Sequence, residues 1–237
     1  MIEFVATSLG ELEAIVSQSS AAMFRGVSEA SYPLIPRVGR NQRQLDEEIE
    51  LLNQFRRLAE PHVEMAPRND WEWLALAQHH SLPTRFMDWT KNPLVAAFFA
   101  VCKPETEGDS VIYVLEVAIP TIAEVVGRDS GLPLTDIWRI DETVCPSPFE
   151  VESVSVYLPR LLSPRIAAQG GLFTVHPRPG TPLASPSLAR ILIPRDRRAR
   201  LRHTLRNMDV HEGRLFPDLD GYARYVATRF AEDTFAS

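Results

Sequence analysis

Gln78-His79-His80-Ser81-Leu82-Pro83-Thr84-Arg85-Phe86-Met87-Asp88-Trp89-Thr90, continuing into Asn92-Pro93-Leu94-Val95-Ala96-Ala97-Phe98-Phe99-Ala100, is the stretch on which the fold of this 237-residue chain turns. Two imidazoles, a guanidinium, a carboxylate, hydroxyls and an indole stand directly before the most apolar segment of the protein. Polar groups in such number beside a buried segment need partners, which are either one another or a ligand. Asn69 fits an N-cap with Glu72 in the box position, and Trp73, Leu76, Ala77 and His80 follow at helical spacing. Pro83 ends that helix. Beyond it, Thr84, Phe86, Asp88 and Thr90 share one face of an extended segment, and Arg85, Met87 and Trp89 the other. Asn92-Pro93 reads as N-cap and first helical position, and residues 94–102 are too uniformly apolar for a surface helix. A buried central helix over residues 93–102 is therefore expected.

Working outward, Leu9, Leu12, Ile15 and Val16 predict an amphipathic helix within residues 8–19. Residues 21–27 read as a strand carrying a single arginine, Arg25, beside Gly26, where backbone must come close to something. Residues 32–40 form a proline-punctuated loop holding Arg37 and Arg40. Leu45, Ile49, Leu52, Phe55 and Ala59 make a helical stripe, with acidic residues at its start and Arg56 and Arg57 near its end, as the helix dipole prefers. Strands are expected at 84–90, 110–118, 152–158, 171–175 and 189–193. Residues 196–208 predict a basic amphipathic helix with Leu201, Leu205 and Met208 inward and its arginines mostly outward. A last helix opens near Phe216 and runs through Phe230. The reading is α+β: a single domain over 1–237 with its core at about 20–230, built as a mixed sheet around the buried helix.

Composition narrows the function classes. With 45% apolar and 24% charged residues the chain buries an ordinary core. No apolar run approaches the roughly 18 residues that cross a bilayer, so no membrane partner and a cytoplasmic location are expected. Two cysteines at unrelated positions imply neither a disulfide framework nor a zinc site. The formal charge of −6 argues against coating by nucleic acid, leaving only a local basic patch. Neither a G-x-S-x-G elbow nor a phosphate loop of the form G-x-x-x-x-G-K-S/T occurs, so ordinary hydrolase and nucleotide-kinase readings lose their support.

Three separated segments resemble the FRG domain, named for a Phe-Arg-Gly tripeptide that stands here as Phe24-Arg25-Gly26. The central stretch is the second match, although Ser81 replaces the family's glycine and Phe86-Met87 its leucine pair. Arg165-Ile166 with Gln169, Gly171 and Phe173 is the third, and residues 215–219 are also family-like. The order of features further resembles an ADP-ribosyltransferase fold. Arg25-Gly26 corresponds to its first strand, Asp88-Trp89-Thr90 with the apolar helix to its second, and Gln169 to its third, where such enzymes carry a glutamate. That resemblance implies NAD as substrate, Arg25, His79, Asp88 and Gln169 in catalytic roles, and Gly26, His80, Thr84, Arg85, Thr90 and Phe173 as ligand contacts. A guanidinium fork suits a pyrophosphate, and a threonine hydroxyl suits a ribose.

Each candidate has a structural alternative. Arg25 is either a phosphate contact or the partner of Asp88, and Asp88 either a base or ribose contact or the partner of Arg25 or Arg85. His79 and His80 diverge by roughly 100° on a helix and cannot chelate one metal together, so no metal is expected. Arg195 to Arg206 is either a solvated face or a surface for RNA, DNA or an acidic protein. The leading expectation is an NAD-dependent ADP-ribosyltransferase or NAD-cleaving enzyme, acting as a toxin or phage-defence effector. The alternatives are a non-catalytic nucleotide- or nucleic-acid-sensing module and a purely structural network. A site exists only if Arg25, the histidines, Asp88 and Gln169 converge on one cleft, with Arg25 and Asp88 on the same side of the sheet.

Overall fold

Asp88 is an exposed carboxylate in the middle of a sheet whose neighbouring positions, Met87 and Trp89, are buried. The architecture of the computed structural model, which describes residues 1–18, 22–63, 65–103, 105–117, 137–140, 142–143, 145–159 and 168–233, explains how that arises. Eight strands form one mixed sheet: β1 (Ile2–Val5), β2 (Ala22–Val27), β3 (Phe86–Thr90), β4 (Ser110–Glu116), β5 (Trp138–Arg139), β6 (Ser155–Tyr157), β7 (Gly171–Val175) and β8 (Leu188–Ile193). Their spatial order is β1-β8-β4-β2-β3-β7-β6-β5. The β1/β8 and β5/β6 pairs are parallel and the others antiparallel.

The helices are α1 (Leu9–Val16), α2 (Gln42–Asp46), α3 (Glu48–Ala59), α4 (Asp70–His79), α5 (Pro93–Val101), α6 (Arg195–Asn207), α7 (Glu212–Leu215) and α8 (Leu219–Asp233). Two helical packets share one face of the sheet. In the first, α5 packs with Leu12 of α1 and Leu201 and Leu205 of α6 over Phe24, Ile112 and Ile191. In the second, Trp71, Leu74 and Ala75 of α4 and Leu52 of α3 lie over Phe86, Phe173, Val175 and Tyr157. Asp88 stands where the two packets part. The opposite face carries Met23, Met87, Trp89, Tyr113, Leu115 and Leu172, covered by Leu34, Ile137 and Leu183 from loops.

The central helix is buried as expected, capped by the Asn92 side chain, which accepts from the Leu94 N–H at 2.9 Å. The expected strands are present: β3, β4 and β6 are shorter than expected, β7 keeps its bounds, and β8 begins one residue earlier, at Leu188. Strand β1 gave no sequence signal because it is a four-residue edge with side chains exposed on both faces. The stripe beginning at Leu45 breaks at Glu47 into α2 and α3, and Ile49 is exposed. Helix α4 is buried almost all round rather than along one stripe, and His80 lies outside it. Arg198 does not point outward as expected. Its guanidinium is buried and donates to the carbonyls of Lys103, Thr106 and Gly108. No helix among the described residues is long and apolar enough to cross a membrane.

Beneath the sheet a polar chain is closed off from water. Trp89 Nε1 donates to Thr174 Oγ1 at 2.9 Å, and that hydroxyl lies 2.9 Å from Nε2 of His176, which is 2% exposed. Having accepted from the indole, the hydroxyl has its own proton for Nε2, which sets the imidazole as the neutral acceptor. Burial first, then the charges of Arg25 and Arg85, pull the His176 pKa down to about 4. A histidine with a folded pKa below its unfolded value gives stability that is complete above pH 6.5 and is lost as pH falls toward 4. We expect the wild type to lose about 2–3 kcal/mol more than His176→Gln between pH 7 and pH 4.5. Urea titrations at the two pH values check this, and parallel losses would show that His176 is not the group responsible.

Candidate functional site

Strands β2 and β3 are registered at the pair Phe24 and Thr90, whereas β2 pairs with β4 along its whole length. Beyond that one pair they diverge, and a cavity of about 320 Å³ opens in the gap between the helical packets. Arg25 stands opposite Tyr113, in the row of Met23 and Val27, so its Cβ leaves the sheet on the loop-covered face. Asp88 shares the other face with Phe86 and Thr90. The expectation of a common side is therefore overturned, and the condition that tied the nucleotide reading to it is not met. The two side chains start on opposite faces and meet through the divergence, where Arg25 Nη1 donates to the Asp88 carbonyl at 2.6 Å and lies 3.7 Å from Oδ2.

Arg25 is poorly compensated. Its side chain is 20% exposed, its one close acceptor is a neutral carbonyl, and its buried Nε has no partner. Burial lowers its pKa most, Asp88 opposes that, and Arg40 adds to it. Arg37 and Arg40 line the same cavity. Arg37 donates to the Ser81 carbonyl and Arg40 to the Ile35 carbonyl, so each guanidinium is held by a neutral acceptor. Three guanidiniums thus face one carboxylate in a chain whose overall charge is −6. Such a cavity favours an anion.

Asp88 is oriented by Gln78. The Phe86 N–H donates to Thr84 Oγ1, the Thr84 hydroxyl donates to Gln78 Oε1 at 2.7 Å, and Gln78 Nε2 donates to Asp88 Oδ2 at 2.8 Å. The first two bonds fix which end of the amide faces the carboxylate. Neither Gln78 nor the loop arginines were singled out from sequence. The signal was present: Gln78 follows Trp71, Leu74 and Ala75 at helical spacing, so its amide falls on a fully buried row.

Of the residues expected at the site, Arg25, Gly26, His79, Asp88, Thr90, Gln169 and Phe173 line the cavity. His80, Thr84 and Arg85 do not. His80 sits at the C-cap of α4 with its ring near Phe55, and Thr84 is buried within the Gln78 network. Arg85 turns to the buried Glu48, with Nη2 2.9 Å from Oε2, and pins α3 to the start of β3. Thr90 donates to the Gln169 carbonyl, so its hydroxyl proton is already taken. The Gln169 amide donates to the Leu215 carbonyl at 3.0 Å. Arg165 and Ile166 lie outside the described residues.

Comparison with known proteins bears on this geometry. Residues 20–109 match the family model of the FRG domain. The likeness is to that segment, which is less than half of the chain. No curated protein and no solved structure matches the chain. The matched FRG segment contains β2, α4, β3 and α5, and therefore every side chain of the cavity's arginine, Gln78 and Asp88 set. Gln169 and the residues around Leu215 lie beyond it.

The glycine of the FRG tripeptide answers to α5. A Cβ on Gly26 would lie 1.8 Å from the Ala96 carbonyl oxygen and 2.6 Å from the Ala100 N. Both obstacles are helix backbone, so neither gives way cheaply. Gly26→Ala is expected to lower stability by about 3 kcal/mol or more in a thermal melt, and a wild-type melting temperature would contradict this packing. Ser81 has φ of 67°, in the left-handed region, where the FRG pattern has glycine. Ser81→Gly should raise stability by about 0.5–1 kcal/mol in the same assay, and no gain would show that the backbone is unstrained there.

Proposed function

We propose that the chain binds a nucleotide of the NAD type with its diphosphate on Arg25, Arg37 and Arg40, and cleaves the bond between nicotinamide and ribose. The observation that carries the reading is Arg25: a half-buried guanidinium whose buried Nε lacks a partner, on the wall of a cavity with a net excess of cations. An anionic ligand supplies what the protein leaves out. A planar fork recognises paired phosphate oxygens bidentately, which a point charge does not.

On this reading Asp88 stabilises the positive charge that develops on the ribose as the C1′–N1 bond breaks. The bonding electron pair leaves with nicotinamide, which departs neutral. The ribosyl cation is captured by water or by an acceptor nucleophile, which releases its proton to solvent. The ADP-ribosyltransferase-like arrangement is part of this proposal. It differs from the expected pattern at the third strand, since Asp88 is the only carboxylate among the described residues that line the cavity, and the Gln169 amide is engaged by Leu215. That engagement is the specific observation favouring a second reading, a nucleotide-binding module without turnover.

Arg25→Lys separates these readings from a structural ion pair. Lysine keeps the charge and loses the fork, so nicotinamide release should fall roughly 10- to 150-fold, equivalent to about 1.5–3 kcal/mol, with little change in the melt. Asp88→Asn should abolish release while retaining NAD binding. Wild-type protein that binds NAD but never releases nicotinamide, with or without macromolecular acceptors, would leave the binding module. A protein that does neither removes both nucleotide readings, and an unfolded Arg25→Lys variant returns Arg25 to the structural pair.

A further inference from the structure

A second cavity, of about 230 Å³, lies against the first along β2. The two share Arg25, Gly26, Arg40 and Phe99 as wall residues, so they are two lobes of one groove with two guanidiniums at its waist. The second lobe has a distinct chemistry. Leu34, Ile35, Phe99 and Cys102 give it apolar walls, Tyr32 adds an aromatic ring, and no carboxylate lines it. Burial raises the Cys102 thiol to about 11, so that wall is uncharged at neutral pH.

Lys103 lies on the wall of this lobe. Its backbone is held in place: the Lys103 carbonyl accepts from Arg198 Nη2 at 2.6 Å, while the other nitrogen of that guanidinium bonds the carbonyls of Thr106 and Gly108. The Thr106 hydroxyl in turn donates to the Ser28 carbonyl of the segment after β2 at 3.0 Å. Arg198 thus fixes the Lys103 backbone, and the Lys103 side chain is exposed, with no carboxylate within salt-bridge distance among the described residues. Apolar walls with an aromatic ring suit a nucleobase. An ammonium on the same wall suits a phosphate on that base's ribose.

Building on the nucleotide reading above, we infer that a dinucleotide lies lengthwise across β2, with its diphosphate at Arg25 and Arg40 and its reacting end beside Asp88. The second lobe takes the other nucleoside in a form that carries its own ribose phosphate, recognised by Lys103. NADP is the available molecule of that class, and NAD is the same molecule without the extra phosphate.

Titration calorimetry of the full chain with NAD and NADP tests this. NADP is expected to bind about five- to tenfold more tightly than NAD, as a charge-assisted contact at a partly exposed site implies, and the preference should shrink as salt rises. Lys103→Gln should bring NADP to the NAD value and leave NAD binding within about twofold of wild type, while Lys103→Arg should retain the preference. Equal binding of the two by wild-type protein, or an equal loss of both in Lys103→Gln, overturns the second-lobe assignment and leaves the nucleotide reading standing. Failure of either dinucleotide to bind overturns both.

Discussion

Helix α5 lies so close to β2 that nothing larger than a hydrogen fits between Gly26 and the Ala96 carbonyl, and much of the molecule follows from that contact. Alanines at 96, 97 and 100, all without exposed surface, give the helix a surface smooth enough to lie on the strand. Its other side takes Leu201 and Leu205 of α6, so the helix occupies the middle of its packet. Its N-terminus is fixed by Asn92, whose N–H donates to Thr90 Oγ1 at 3.0 Å, and Thr90 in turn donates to the Gln169 carbonyl. One close approach thereby sets the end of β3, the turn before β7 and the position of the first packet. Because alternation commits Gly26 to the helix side, it commits Arg25 to the other side, where the guanidinium can reach the cavity only through the divergence of β2 and β3.

The electrostatics of the groove make sense in that light. Removing a guanidinium from water is expensive unless a carboxylate and further acceptors replace the lost hydration. Arg85 has that environment, with Glu48 accepting from its Nε, Nη2 and backbone N–H, and the Phe149 ring beneath it. Arg25 does not: a carbonyl, a carboxylate oxygen at 3.7 Å and an orphan Nε are a partial set. Two arginines within one strand-and-loop neighbourhood have been treated differently. The fully satisfied one is outside the cavity and the incompletely satisfied one is in its wall.

Much of this was readable from residue order. The capped, uniformly apolar helix and the strand before it carry their own signals, because caps and burial act over a few residues. The convergence of Arg25, the His79 and His80 pair, Asp88 and Gln169 was an expectation from motif resemblance, and all of these but His80 line the cavity. What stayed hidden depends on distant contacts. Glu48 reads as one acid among three at a helix start, and only the fold delivers Arg85 to it. Arg198 looks like its exposed neighbours on a basic helix until the loop of residues 103–108 closes over it. The opposite-face origin of Arg25 and Asp88 could not be read at all, since it depends on where two strands stop pairing.

The Asp88 carboxylate is the remaining argument against a purely structural network. The side chain is exposed, so water serves whichever oxygen the protein does not. Here the bonding is one-sided: Oδ2 accepts from Gln78 and faces Arg25, while Oδ1 has no hydrogen-bond partner among the described residues. The chain from the Phe86 N–H through Thr84 to Gln78 holds the carboxylate by one oxygen. Were the aspartate present only to neutralise Arg25, a close contact like that of the Arg85 guanidinium with Glu48 Oε2 at 2.9 Å would be the lower-energy arrangement. At 3.7 Å the Arg25 Nη1 and the Asp88 Oδ2 attract each other from beyond hydrogen-bond length, so neither charge is fully engaged by the other.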